Sequence, residues 1–326
     1  MFNILGSIFH GVILIVPALV LSIFVLFTQG VAWLIGILLD LVISPNFISY
    51  IYTKPCSPPQ DTFVDCNPII GVGLQITQGM VNLILVVVLV YAAISIALRL
   101  GGETQAKKIF FRLIIIALLV NFAPLLVGLI VDAANITMQF FLTPIQGGTS
   151  GVLTQNAPIM DSIWSLISNA GAGLKDKTGL LAVGGAAIIL NIMVAFAFLL
   201  FIGLFIVRYI AIWILVILSP IALVMWILPG KASQFWNMWW NQLIQWSVIG
   251  IPMAFFLYLG IGSFSAISSA FNARLSGAIP QTELNLFSQL IPFFVTTTFL
   301  FLGFLVGLTT SAMGATAVMA GTKTTG

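Results

Sequence analysis

Charge is what this chain has least of. Asp, Glu, Lys and Arg make up 6% of its residues, against about 25% in a soluble domain. Eleven bases and eight acids cannot clothe a water-soluble molecule of 326 residues. Histidine occurs once, at His10, which leaves little for imidazole-based metal or acid–base chemistry. Cysteine occurs twice, too few for a haem or iron–sulfur set. No nucleotide-binding loop or zinc motif is present, and no pair of acids at helical spacing lies in an apolar segment. The ionisable residues inside apolar segments are scattered at Asp40, Asp132 and Arg208. Proton and ion pathways use several such groups in register, so a pump or proton-coupled antiporter is disfavoured. No Lys or Arg precedes the apolar run Val12–Phe27. A cleavable signal needs a basic leader, so the first span is expected to be a retained anchor.

What is abundant is apolar length. Hydrophobic residues make 60% of the chain, and the mean hydropathy is +1.19. The expected fold is all-α, a polytopic transmembrane bundle of about six to eight spans plus interfacial helices. The net charge of +3 is a small imbalance in a charge-poor chain and is no sign of nucleic-acid binding. Three segments are expected. Residues 1–79 form an anchor and an extracytoplasmic cysteine loop. Residues 80–320 form the transmembrane domain, with a long extracytoplasmic loop at 133–179. Residues 321–326 form a short polar tail.

The orienting feature is the stretch RLGGETQAKKIFFR, Arg99–Arg112. It sets Arg99, Lys107, Lys108 and Arg112 against a single acid, Glu103, between the apolar runs Met80–Leu98 and Ile109–Val131. A short basic loop between two spans reads as cytoplasmic. Before it lies the proline-rich loop 45–79, expected to be irregular, with Cys56 and Cys66 in PCSPPQDTFVDC. These are either two free thiols or a disulfide. A disulfide is the expected state, worth roughly 3 kcal/mol, on the non-cytoplasmic side where such bonds persist.

The stretch Phe9–Ser44 would reach ~54 Å as a helix, too long for one span and short for two. Gln29–Gly30 is expected to break it. Asn121 and Pro124 sit inside the Ile109–Val131 span. Asn121 reads as a helix–helix contact, with pore lining as the alternative. Asn135-Ile136-Thr137 is a formal glycosylation sequon, read as accidental beside a membrane helix. The run Leu180–Leu228 would reach ~73 Å with one charge, Arg208. Two spans with a break between Gly203 and Tyr209 place Arg208 at an interface and remove a cost of about 2.5–3.5 kcal/mol. One long helix with Arg208 facing a water-filled interior is the rival, and it reverses the topology of everything downstream. Trp236, Trp239, Trp240 and Trp246 follow, with Gln234, Asn237, Asn241 and Gln245 on one helical face. This reads as an amphipathic helix in the headgroup region, anchored by its indoles. The last apolar segment carries Gly303, Gly307, Ser311 and Ala315 on one stripe. Such stripes let helices approach closely; the alternative is a gating surface.

Two segments, Val90–Leu142 and Arg208–Trp240, resemble the TrbL-type (VirB-six-like) inner-membrane subunit of type IV secretion and conjugation machines. The first carries a span ending in Arg99, the Lys107–Lys108 loop, and a span with Asn121–Phe122 that ends at Asp132. The second carries the Arg208 start, Ser219-Pro220, the Pro229-Gly230 stop and the Trp-rich run. The resemblance implies a non-enzymatic, cofactor-free subunit of the bacterial inner membrane, assembled as a homo-oligomeric ring in lipid. It would contact secretion ATPases on the inside and pilin or minor pilin outside. Nucleic acid would enter only as a translocated substrate, beside protein or pilin. Two other classes stay open: a secondary transporter or small-solute channel, and a structural subunit of a larger respiratory or other membrane enzyme.

Overall fold

The computed structural model describes residues 2–49, 55–56, 66–97, 103–145, 174–227, 232–275 and 281–310. These form helices α1 (Phe2–Ile43), α2 (Pro45–Ser49), α3 (Pro68–Ala97), α4 (Glu103–Leu142), α5 (Leu174–Ile227), α6 (Ala232–Val248), α7 (Gly250–Leu275) and α8 (Gln281–Thr310). A 3-10 turn, Thr143–Ile145, extends α4. Among the described residues the one β-type pairing is an isolated bridge between Pro55 and Asn67. Six stretches are long and apolar enough to cross a membrane: Val20–Ile43, Pro68–Val90, Ile114–Ile145, Ile188–Trp226, Gln234–Phe264 and Ile291–Thr310. The all-α, polytopic expectation therefore holds.

Several boundaries are corrected. Gln29–Gly30 does not break α1, which runs unbroken to Ile43. A glycine costs about 1 kcal/mol in a helix, whereas an opened turn in hydrocarbon strands backbone groups at several kcal/mol each. The loop 45–79 is shorter than expected, because α3 begins at Pro68. The Asn67 side-chain oxygen accepts from the Ile69 and Ile70 amides at 3.0 and 3.3 Å. That makes Asn67 an N-cap and puts Pro68 at the first helical position, where no N–H is needed. The basic loop is likewise shorter: Lys107, Lys108 and Arg112 already belong to α4, while Arg99 lies outside the described residues. The loop 133–179 loses both ends, to α4 and its 3-10 turn and to the start of α5.

The largest correction is α5. No break falls between Gly203 and Tyr209; one helix of 54 residues passes through Arg208. The rival expectation of a single long helix is the observed one, but with Arg208 fully buried instead of facing water.

The chain divides into two compact units, which do not follow the three expected segments. One takes Met1–Ser44, Phe140–Leu204 and Met253–Val306; the other takes Pro45–Gln139, Phe205–Pro252 and Gly307–Gly326. In the first unit α7 and α8 pack antiparallel. Phe264 and Phe293 meet edge to face at 4.8 Å, Thr296 Oγ1 donates to Gly260 O at 3.0 Å, and Gly303 faces Phe256 and Phe201. The second unit holds the site described next.

Candidate functional site

Arg208 is the largest fully buried side chain among the described residues. Its Nε donates to Trp246 O at 3.1 Å. Its Nη2 donates to Asn135 Oδ1 at 2.8 Å and to Ser247 O at 3.1 Å. All three partners are neutral. The guanidinium also lies 5.8 Å from the Tyr209 ring centroid, and that ring meets Phe47 at 5.7 Å. Nη1 and the Ser247 hydroxyl are buried without a hydrogen-bond partner. Hydrogen bonds to a charged group are worth about 1.5–3 kcal/mol each. Three of them offset the ~2.5–3.5 kcal/mol insertion cost of an arginine, against the penalty of the unpaired Nη1.

The acceptors exist because a helix is interrupted. α6 ends at Val248 and α7 starts at Gly250. Pro252 has no N–H to offer to Val248 O, so the ladder cannot run on through the junction. The last carbonyls of α6 are left without intrahelical partners and carry the negative end of the helix dipole. Arg208 takes two of them. Gly250 makes room: a Cβ there would fall 2.9 Å from Arg208 Nε and 2.7 Å from Met138 Sδ.

A second proline is compensated in the same unit. Pro220 lies inside α5 and withholds the N–H that Val216 O would receive. The neighbouring Ser219 hydroxyl donates to that carbonyl at 2.6 Å. One residue earlier, Leu215 O accepts from the Trp239 indole at 3.0 Å.

These contacts set the direction of α6. Trp226 meets Trp236 at 5.6 Å, Leu215 meets Trp239, and Arg208 meets Trp246 and Ser247. The α5 numbers fall as the α6 numbers rise, so α6 runs antiparallel along the end of α5. It belongs to the apolar stretch Gln234–Phe264, which is long enough to cross a membrane. Trp239 and Trp246 are buried in protein, at 3% and 6% exposure; Trp236 and Trp240 stack at 5.5 Å. Trp239, Leu243 and Trp246 form the inner face. Gln234, Asn237 and Asn241 are exposed on the opposite side, with Gln245 half-buried.

α3 and α4 complete the unit. Val81 of α3, Ile116, Val120 and Ala123 of α4, and Leu223 and Val224 of α5 share one core cluster. Gly73 abuts Ile217. Thus α3 runs with the end of α5, and α4 runs against it. The Cys56–Cys66 disulfide forms, with Cα atoms 4.9 Å apart. A Cβ on Gly71 would meet Cys56 O at 2.8 Å, so the bridge sits on the first turn of α3, at the Arg208 end of the unit. Lys107, Lys108 and Arg112 lie at the opposite end, within roughly three turns before Ile116. From Arg112 to Asn135 the helix rises ~34 Å, close to one hydrocarbon thickness of about 30 Å.

Of the residues singled out by sequence, the structure therefore gathers Arg208 with Trp239 and Trp246. Asn121 is not brought in. It is exposed, and its Nδ2 bonds Ala117 O of its own helix at 2.9 Å. This is neither the expected helix–helix contact nor a link to the site. Asp132 is half-buried on α4, one turn before Asn135. Gly303 and Gly307 are buried, while Ser311, Ala315 and the tail 321–326 lie outside the described residues. Asn135, Ser247 and Gly250 were missed. Asn135 had a signal, since Asp132 and Asn135 are polar neighbours one turn apart in an apolar run. Among the described residues no three His, Cys, Asp or Glu side chains gather as metal ligands.

No protein-family model matches the chain, and no curated protein or solved structure is detectably similar to it. The fold defines a class by itself: this is a multi-pass, α-helical membrane protein with a disulfide.

Proposed function

We propose that this chain is a non-enzymatic, TrbL-type subunit of the inner-membrane platform or channel of a type IV secretion or conjugation-like machine. The carrying observation is where the two resembling segments go. Val90–Leu142 supplies Asn135 and Arg208–Trp240 supplies Arg208, and the two side chains hydrogen-bond at 2.8 Å across 73 residues. The same two segments build the shared core around Val120 and Leu223. Both resembling segments thus contribute residues to a single packing unit, Arg208 among them, while Asn121 stays exposed outside its core.

In this reading the Lys107–Arg112 end of the unit faces the cytoplasm, by the positive-inside rule. The disulfide end faces the oxidising side. The membrane is the bacterial inner membrane, and the chain assembles as a ring that passes DNA, protein or pilin. Affinity purification from native membranes tests this. Co-elution of secretion ATPases and a pilin with a homo-oligomer is the expected result. A monomer that co-elutes with redox subunits overturns it in favour of a structural subunit of a membrane enzyme.

A further inference from the structure

We propose that the outer ridge of α6, formed by Gln234, Asn237, Asn241 and Gln245, lines a water-filled path across the membrane. The ridge covers ~16 Å along a helix, more than half of a hydrocarbon core. That helix is not free to roll. Its inner face is held by the Trp239 indole on Leu215 O and by the Trp246 and Ser247 carbonyls on Arg208. The four carboxamides are therefore fixed on the outside of the unit.

Their surroundings show what they face. None of the four side chains makes a hydrogen bond among the described residues. Asn121 gives a contrast: it too is exposed, but its amide donates to Ala117 O of its own helix. Most of the other exposed surface of this unit is apolar: Leu83 and Val86 on α3, Leu118, Leu125 and Leu129 on α4, Ile214 on α5; α3 also exposes the amides Gln75 and Asn82, and α6 exposes Met238 and Val248 beside the ridge. A row of unpaired amides is excluded from hydrocarbon, where no water satisfies it, and is the ordinary lining of a hydrophilic pore. The ridge carries no formal charge. One helix supplies one wall of the path. The inference rests on the multi-pass fold, not on the secretion reading.

Substituted-cysteine accessibility tests it on the full chain in sealed membrane vesicles. Asn237→Cys, Asn241→Cys and Gln245→Cys are compared with Leu83→Cys and Leu125→Cys. The native cysteines are silent because they are paired. A charged, membrane-impermeant thiol reagent should modify Asn241→Cys and Gln245→Cys roughly tenfold or more faster than the α3 and α4 positions, because the reactive thiolate forms in water and not in hydrocarbon. Modification only by a lipid-soluble maleimide overturns the proposal, as does a dry ridge that reacts with neither reagent and cross-links between copies. Retention of the native disulfide in each variant shows that it folded, and three ridge positions guard against loss of one. Loss of secretion partners in purification would leave this result unchanged, so the two readings fail separately.

Discussion

Val216 O is a small case of how this protein manages polar atoms in an apolar setting. Pro220 cannot serve it, and Ser219 does, at 2.6 Å. In water a solvent molecule would do the same; here the hydroxyl is the substitute. Ser219→Ala should cost about 1–3 kcal/mol, the penalty of a stranded buried acceptor. Pro220→Ala in the same chain should recover most of that loss, because the new N–H reaches the carbonyl. A double-mutant cycle on unfolding in detergent measures the coupling; additive losses would show that Ser219 serves some other purpose. Arg208 follows the same logic with larger stakes. Lysine keeps the charge but not the fork that engages Asn135, Trp246 and Ser247 at once. Arg208→Lys should therefore destabilise the unit nearly as much as Arg208→Met. Full stability of the lysine variant would mean that charge alone, not the geometry, holds the junction.

At the scale of elements, glycine sets how closely the parts approach, and its effects differ in sign from place to place. A Cβ on Gly250 would crowd Arg208 Nε at 2.9 Å, and one on Gly303 would crowd Phe256 Cβ at 2.5 Å; one on Gly30 meets nothing within 4 Å. Gly250→Ala and Gly303→Ala should each destabilise by about 1–3 kcal/mol. Gly30→Ala in mid-α1 should stabilise by about 1 kcal/mol through helix propensity. Thermal unfolding in one detergent checks all three, and a common sign would sink the argument. Gly303 also shows that part of the small-residue stripe is spent on packing within the chain. α5 shows what could and could not be read from sequence. Its apolar length was plain, as were the prolines and the tryptophans. In sequence Arg208 reads as an interfacial break because an arginine at mid-membrane is costly and no partner for it lies nearby. Its acceptors lie 38 and 39 residues ahead, and 73 behind. Hydropathy is local, whereas the pairing of Arg208 with the carbonyls at the α6–α7 junction is not. Helix identity and the cysteine pair were legible for the opposite reason: each depends on neighbours within one turn or one loop.

For the whole molecule the open quantity is sidedness, and the second unit makes a sharp statement about it. Its two ends carry opposite chemical marks: Lys107, Lys108 and Arg112 at the start of α4, and the Cys56–Cys66 bridge on the first turn of α3. About 34 Å of helix separates Arg112 from the Arg208 level, so in the proposed orientation the two marks lie toward opposite faces of one bilayer. A bridge on the oxidising face and bases on the reducing face are a single orientation expressed twice. Lys107→Cys in intact cells should resist an impermeant maleimide and react once the membrane is opened. Cys56 and Cys66 should react with the same reagent in intact cells only after reduction. Ready labelling of Lys107→Cys from outside inverts the unit. Labelling of the native cysteines without reduction removes the oxidised mark while leaving the basic one standing. Because the two marks are read by independent chemistry, agreement between them carries more weight than either alone, and it would also orient α6: Ala232 at the inner face, Val248 at the outer.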